Sequence, residues 1–125
     1  PAGQIDTGGH LFLTPRDMAK IGQLFLQQGT WKDEQLISAD WVEESTAHQI
    51  TTDGRSEYGY LWWRRSFKSA SRTVETFCAS GNGGQFIFVV PSIDLVVSFT
   101  GRNYNSAESS QPLEMMSKFI LPAVN

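Results

Sequence analysis

Thr73-Val74-Glu75-Thr76-Phe77-Cys78-Ala79-Ser80, then Gly81-Asn82-Gly83-Gly84-Gln85, then Phe86-Ile87-Phe88-Val89-Val90-Pro91-Ser92-Ile93-Asp94-Leu95-Val96-Val97-Ser98-Phe99-Thr100-Gly101 is the stretch that decides the fold. Two apolar runs of strand length, rich in Val, Ile and Phe, flank Pro91-Ser92-Ile93-Asp94, which predicts a hairpin. Both runs are apolar at nearly every position instead of alternating, so the strands expect cover on both faces. Ahead of them Gly81, Gly83 and Gly84 free the backbone for conformations closed to other residues and let a ligand approach the main chain. A two-sided sheet with a glycine-rich lip at one strand's start is where a binding site is expected.

Working toward the N-terminus, Tyr58-Gly59-Tyr60-Leu61-Trp62-Trp63-Arg64 reads as an aromatic strand with Tyr58, Tyr60 and Trp62 on one face. Thr51 to Glu57, holding Asp53-Gly54, reads as loop, and Lys68 to Arg72 turns the chain into the central hairpin. Trp31 to Gln35 is a polar link. Thr14 as N-cap, Pro15 at the first helical position and Asp17 three residues on predict a helix over about residues 15–28, with Leu13 and Met18 as its staple. Gly29 is expected to end it. Ser38 caps a second helix, with Ile37 and Val42 repeating the staple. Pro1 to Asp6 reads as a frayed end and Thr7 to Leu13 as a turn into an extended segment. Beyond the hairpin, Gly101 to Ser106 is a polar loop. A last helix opens at Pro112, shows Leu113, Met115, Met116, Phe119 and Ile120 as a broad apolar face, and stops at Pro122. Helix, helix, three or more strands and helix in that order predict an α+β fold with an antiparallel sheet flanked by helices.

The 125 residues make one domain's worth of chain, and 40% hydrophobic with 18% charged residues is ordinary for a globular protein. A net charge of −3 with no Lys/Arg cluster beyond Arg64-Arg65, Lys68 and Arg72 argues against nucleic acid. No apolar run reaches membrane-spanning length. A single cysteine, Cys78, excludes an internal disulfide, zinc finds no ligand cluster, and no cofactor is implied.

Candidate chemistry is sparse. His10 and His48, the two histidines, lack a nucleophile and an orienting acid in sequence and read as structural. Cys78 in an apolar strand reads as a small hydrophobe. Ser80-Gly81 lacks a G-x-S-x-G elbow, and Gly81 to Gly84 precedes a strand where a phosphate loop would need a helix. The aromatic stretch reads as core, the rival being a sugar-stacking platform with Trp62 or Trp63 exposed.

Taken together the motifs resemble the serine β-lactamase-like superfamily, the group of class C β-lactamases, DD-peptidases and esterases. Gly8-Gly9 with Leu13-Thr14-Pro15-Arg16-Asp17-Met18-Ala19 is similar to its "G-G-L-x-S-T-x-x-D-L-A" signature. Gly29-Thr30-Trp31, Gln35-Leu36-Ile37-Ser38 and Trp41-Val42 resemble the segment that follows, and Tyr58-Gly59-Tyr60-Leu61-Trp62-Trp63 its "Y-G-Y-G-W-W". Gly81-Asn82-Gly83-Gly84-Gln85, Pro91, Asp94-Leu95-Val96-Val97 and Thr100-Gly101 resemble its ending. The family's nucleophilic S-x-x-K and its Y-x-N are not in this chain. The resemblance therefore implies a single segment, residues 1–125, from the C-terminal part of such a hydrolase. The missing N-terminal part would be its partner and small esters, amides or peptides its substrates. Asn82-Gly83-Gly84 would stand at the family's third motif, with Asn82 in place of the usual cation, as substrate-binding residues. The Gln85 backbone N–H would be an oxyanion donor. Catalysis is not expected of the chain alone, and an uncovered sheet edge or apolar face predicts self-association. The compartment would be a bacterial periplasm or cytoplasm. The rival class is a non-enzymatic binding or interaction domain on the same fold.

Overall fold

The computed structural model describes residues 11–52, 56–69 and 72–124. The expected frayed end, the turn around Gly8, Gly9 and His10, Asp53-Gly54, and Ala70-Ser71 lie outside them. The core is a six-stranded antiparallel meander in sequence order: β3 (Ile50–Thr52), β4 (Ser56–Tyr58), β5 (Trp63–Ser69), β6 (Arg72–Gly81), β7 (Gln85–Val90) and β8 (Leu95–Phe99). A separate two-stranded ribbon pairs β1 (Thr30–Trp31) with β2 (Glu34–Gln35). The helices are α1 (Pro15–Leu26), α2 (Ala39–Thr46), and a C-terminal run of α3 (Gln111–Met115), a π turn (Met116–Ile120) and α4 (Leu121–Ala123). This is α+β, as the sequence predicts.

The central hairpin forms as expected. β7 and β8 pair from Phe86↔Phe99 to Val90↔Leu95 across a 3₁₀ turn at Pro91–Ile93, and Asp94 closes it in the left-handed region at φ +52°. Period-2 alternation then sorts β7 onto two cores. Phe86, Phe88 and Val90 face Met116 and Leu121 of the C-terminal helix, whereas Ile87 and Val89 face Met18, Ile21 and Phe25 of α1. β7 is buried at Phe86 to Val90, so its apolar run follows from cover on both faces. β8 is only half-buried because it is the sheet's edge. At Gly22 of α1 an added Cβ would lie 2.5 Å from Val96 Cγ1 and 2.9 Å from Ile87 Cγ2, so the missing side chain is what lets the helix sit down on β7 and β8.

Local chemistry sets the helix ends. The Thr14 hydroxyl oxygen accepts from the Asp17 N–H at 3.2 Å and donates to the Asp17 carboxylate at 2.7 Å. Lys20, 2.7 Å away, and Thr14 hold the Asp17 carboxyl below its ordinary range. The α1 C-terminus is a Schellman motif: Gly29 N–H donates to Leu24 O at 2.8 Å and Gln28 N–H to Phe25 O at 3.1 Å. The helix thus ends at Leu26, with Gln28 already left-handed at φ +52° and Gly29 following at φ +82°. Gly29 admits no other residue there, since its Cβ would fall on the Ile37 carbonyl oxygen. In α2, Ser38 Oγ accepts from Trp41 N–H at 3.2 Å.

Four expectations need correction. Thr51 to Glu57, expected as loop, places Thr51 and Thr52 in β3 and Ser56 and Glu57 in β4, paired Thr51↔Glu57 and Thr52↔Ser56, because the chain reverses within the few residues between them. Tyr58 to Arg64 is a tight hairpin turn between β4 and β5 with Tyr58 facing Trp63, where a single strand was expected. Leu61 at φ +67° reverses the chain, Gly59 N–H donates to Trp62 O at 2.7 Å, and Tyr60 N–H is drawn 2.8 Å from Ser45 O of α2. The Trp31 to Gln35 link is the β1–β2 ribbon, turned by Lys32 and Asp33, both left-handed. Finally, Pro122 does not stop the last helix, which reaches Ala123. The wider π turn just before it is where a helix absorbs a proline that lacks an N–H and crowds the carbonyl four residues back.

Cys78 is fully buried opposite Phe88, and burial pushes its thiol up to about 11 against the pull of the neighbouring Arg65 guanidinium. At pH 7 the native thiolate fraction is then on the order of 10⁻⁴. Thiol reagents are expected to label Cys78 no faster than the chain unfolds, and within seconds in denaturant. The unfolded thiol, with an ordinary pKa near ~8.5, loses its proton first, so above that pH the unfolded state binds fewer protons. Stability should therefore fall as pH rises toward about 11, a slope that Cys78→Ala removes. Rapid native labelling, or a slope unchanged in Cys78→Ala, would contradict this burial.

Candidate functional site

The glycine stretch is the tip of the β6–β7 hairpin. Gly81 and Gln85 face each other at its neck, and Asn82, Gly83 and Gly84 make the turn. Gly83 at φ +99° and Gly84 at φ +91° explain why glycine stands at both positions. Asn82-Gly83-Gly84 thus lies between the end of β6 and the start of β7, the lip ahead of a strand that the sequence predicts.

What holds this turn is the loop after β8, over residues 101–106. Asn103 N–H donates to Gly83 O at 3.0 Å, and Gln85 Nε2 donates to Gly101 O at 2.7 Å. The side chains of Asn82 and Asn105 grip each other: Asn82 Nδ2 donates to Asn105 Oδ1 at 3.2 Å, while Asn105 N–H donates to Asn82 Oδ1 at 3.4 Å. The Tyr104 ring lies over Gly83, 2.9 Å from where a Cβ would stand. Gly84 is capped by Ser109 O and Pro112 Cδ, at 3.3 and 3.8 Å from its would-be Cβ. Within the loop Asn103 Nδ2 donates to Glu108 O at 3.2 Å and the Ser106 hydroxyl to Asn103 O at 3.4 Å. Ser106 also holds the Glu108 carboxyl below its ordinary range.

The turn is therefore two-sided. Gly83 and Gly84 are buried, Gln85 is half-buried, and Ser80, Gly81 and Asn82 are open. Among the described residues no acceptor faces the Asn82 N–H, and no base hydrogen-bonds the Ser80 hydroxyl. A backbone rigidly held with donors facing solvent can stabilise a developing negative charge without reorganising. Sequence reasoning found the turn but missed its clamp. Asn103, Tyr104 and Asn105 carry only a polar-loop signal, and their partners lie about twenty residues away in the chain.

The other candidates take structural places. His48 Nε2 pairs with Thr51 Oγ1 at 2.9 Å on the surface. Trp62 is 5% exposed, with ring centroids 4.5 Å from Phe25 and 5.2 Å from Phe77, so it is core and no platform for sugars. Trp63 is half-buried against Tyr58. Two shallow clefts of about 270 and 300 Å³ share Arg64 and Glu75, and neither includes a residue of the glycine turn. Arg64 pairs with Glu57 at 3.0 Å, and Glu75 accepts from the Ser66 hydroxyl at 2.8 Å. Among the described residues no group of three or more His, Cys, Asp or Glu is placed to hold a metal ion, and no helix is long and apolar enough to cross a membrane.

The fold is that of a solved structure titled "Putative 6-aminohexanoate-dimer hydrolase from Bacillus anthracis", at a TM-score of 0.67 and 21% identity. The similarity covers 87% of this chain and 28% of that one, so the chain spans under a third of the relative's length. No curated protein matches it. Residues 1–114 match the family model described as Beta-lactamase, over nearly the whole chain and through both the glycine turn and its clamp. The order of motifs, the α+β meander and that match agree: this chain belongs to the Beta-lactamase family.

Proposed function

We propose that this chain is the sheet-bearing portion of a serine hydrolase for small esters, amides or peptides, and that its glycine turn supplies one wall of the active site and a backbone oxyanion donor. A further segment of the same protein carries the nucleophile and its base, because S-x-x-K and Y-x-N do not occur in these 125 residues. The observation that carries the reading is the turn itself: a glycine-rich backbone, open at Ser80 to Asn82 and fixed from behind by the 101–106 loop. The family resemblance assigns the donor to Gln85 N–H. The exposure of Asn82 and its unpaired N–H make that neighbouring amide a second donor within the same turn. Asn82, Gly83 and Gly84 form the lip past which the acyl group enters, and Asn82 brings a hydrogen-bonding amide without charge. That favours neutral ester or amide substrates over those recognised through a carboxylate. Outward apolar side chains at Trp41 and Leu61 support the pairing of this chain with that further segment, or with itself when alone.

The test is intact-mass labelling with a fluorophosphonate, on this chain and on the longest translated product containing it. An adduct on the longer protein alone is the expected result. Stoichiometric labelling of the chain itself, at Ser80 first, would overturn the division of labour. Labelling of neither would favour a binding or interaction domain that keeps the fold without its chemistry.

A further inference from the structure

We propose that Asn105 is a positioning residue, which fixes the donor-bearing glycine turn through its reciprocal amide pair with Asn82. The role rests on the hydrolase reading above. Asn105 makes both bonds with one residue, its side-chain oxygen accepting from Asn82 Nδ2 and its backbone N–H donating to Asn82 Oδ1. To do so it holds a left-handed backbone at φ +54°, a conformation that costs a residue with a side chain and that Asn tolerates better than most. Strain of that kind persists where surrounding structure over-determines it, and here two bonds to Asn82 hold Asn105 while further tethers hold the turn beside it. Gly101 packs its Cα against Gly83 O, Asn103 N–H donates to that same oxygen, Gln85 Nε2 holds Gly101 O, and the Tyr104 ring covers Gly83. Each of these tethers acts on Gly83 or Gln85. Among the described residues only the Asn105 pair reaches the side chain of Asn82, the exposed residue of the turn, and it engages both ends of that amide while leaving one Nδ2 hydrogen for a ligand. The Asn82 side chain is thereby anchored behind the lip, and the peptide groups on either side of it are set in one orientation. A donor set in advance at the place where charge develops raises kcat and leaves substrate binding nearly alone.

Asn105 is exposed, so its replacement should not unfold the chain. The variants are Asn105→Ala, Asn105→Gly, which keeps the left-handed backbone without the amide, and Asn105→Asp, which keeps the acceptor for Asn82 Nδ2. In this chain, ¹⁵N order parameters at Asn82 and Gly83 are expected to fall from ~0.85 to below ~0.6 in Ala and Gly, and to recover in Asp. In the longer hydrolase, kcat should drop about tenfold in Ala and Gly with KM within about twofold, and Asp should restore most of it. Order parameters and kcat in Asn105→Ala equal to wild type would remove the role and leave the hydrolase reading standing. If the wild-type longer protein hydrolyses no ester or amide, the hydrolase reading falls and the catalytic role with it, while the order parameters still report the clamp.

Discussion

Phe88→Ala is expected to lower the unfolding free energy by about 3–5 kcal/mol, while Phe119→Ala, the same change on the same residue type, moves it by no more than about 0.5 kcal/mol. Phe88 is 0% exposed and stands at the middle of β7, where the sheet meets the C-terminal helix. Its ring lies 5.0 Å from Phe86 in parallel stacking and edge-on to Phe67 and Phe99 at 6.1 and 6.0 Å. Those edge-to-face contacts add to burial, because the positive rim of one ring meets the negative face of the next. Truncation leaves a cavity that the neighbouring strands, tied by their ladders, cannot collapse to fill. Phe119, 65% exposed on the outer face of the C-terminal helix, leaves water on both sides of the change. For a domain whose whole stability is about 5–15 kcal/mol, the first loss brings the chain near its unfolding threshold and the second is invisible. Urea titration of both variants reads the difference directly. Equal midpoints would mean that Phe88 is not the centre of a packed layer, and the two-sided sheet would be wrong. A large loss at Phe119 with a fall in sedimentation coefficient would show that its face is buried in self-association.

The same contrast indicates which features a sequence can reveal. β7 declared its double burial because five consecutive apolar residues leave no solvent face, and the α1 cap declared itself because Thr14, Pro15 and Asp17 act within one turn of chain. Signals that short are legible. The aromatic stretch at Tyr58 to Arg64 misled because its residues favour strands while the backbone there answers to α2. Tyr60 N–H reaches Ser45 O, and Gly59 lies so close to the Ser45 and Ala47 carbonyls that a Cβ would meet them. The reversal falls on Leu61, a residue with no preference for the left-handed region. Tertiary contacts overrode propensity there. At the site the division is sharper still. Glycines at 81, 83 and 84 advertise an unusual backbone, but what they are shaped against is set by Gly101 and Asn105, whose hydrogen bonds cross 16 and 23 residues of chain. Nothing periodic links those positions.

Gly101 is where that hidden dependence should be largest. If the longer protein is the hydrolase proposed above, Gly101→Ala is expected to lower its kcat by about 10²-fold, although residue 101 lies on neither the proposed lip nor the wall. Its Cβ would fall on the Gly83 carbonyl oxygen and stand 3.3 Å from that of Gly84, both of them backbone atoms of the turn. A flexible side chain could swing away from the intruding methyl, but here a peptide group has to move. Loop and turn are meanwhile held together by Gln85 Nε2 on Gly101 O and by Asn103 N–H on Gly83 O, so the added atom forces apart two segments that two hydrogen bonds hold close. The relief open to it is a shift of the turn by a sizeable fraction of an ångström, and donors that act by being pre-set lose most of their effect over such distances. Stability should fall by only about 1–3 kcal/mol, the usual cost of overpacking, so the protein remains folded while its rate collapses. Arg102→Ala, one residue along and exposed, is the control for a nonspecific loop effect. Steady-state kinetics with amide ¹⁵N shifts of Gly83 and Gly84 decide the matter. Shifted amides with a rate loss specific to Gly101→Ala fit a turn displaced from behind. Unmoved amides and a loss under about threefold would mean that the clamp merely closes the surface, and the rigidity of the lip would then have to come from the β6–β7 ladder alone.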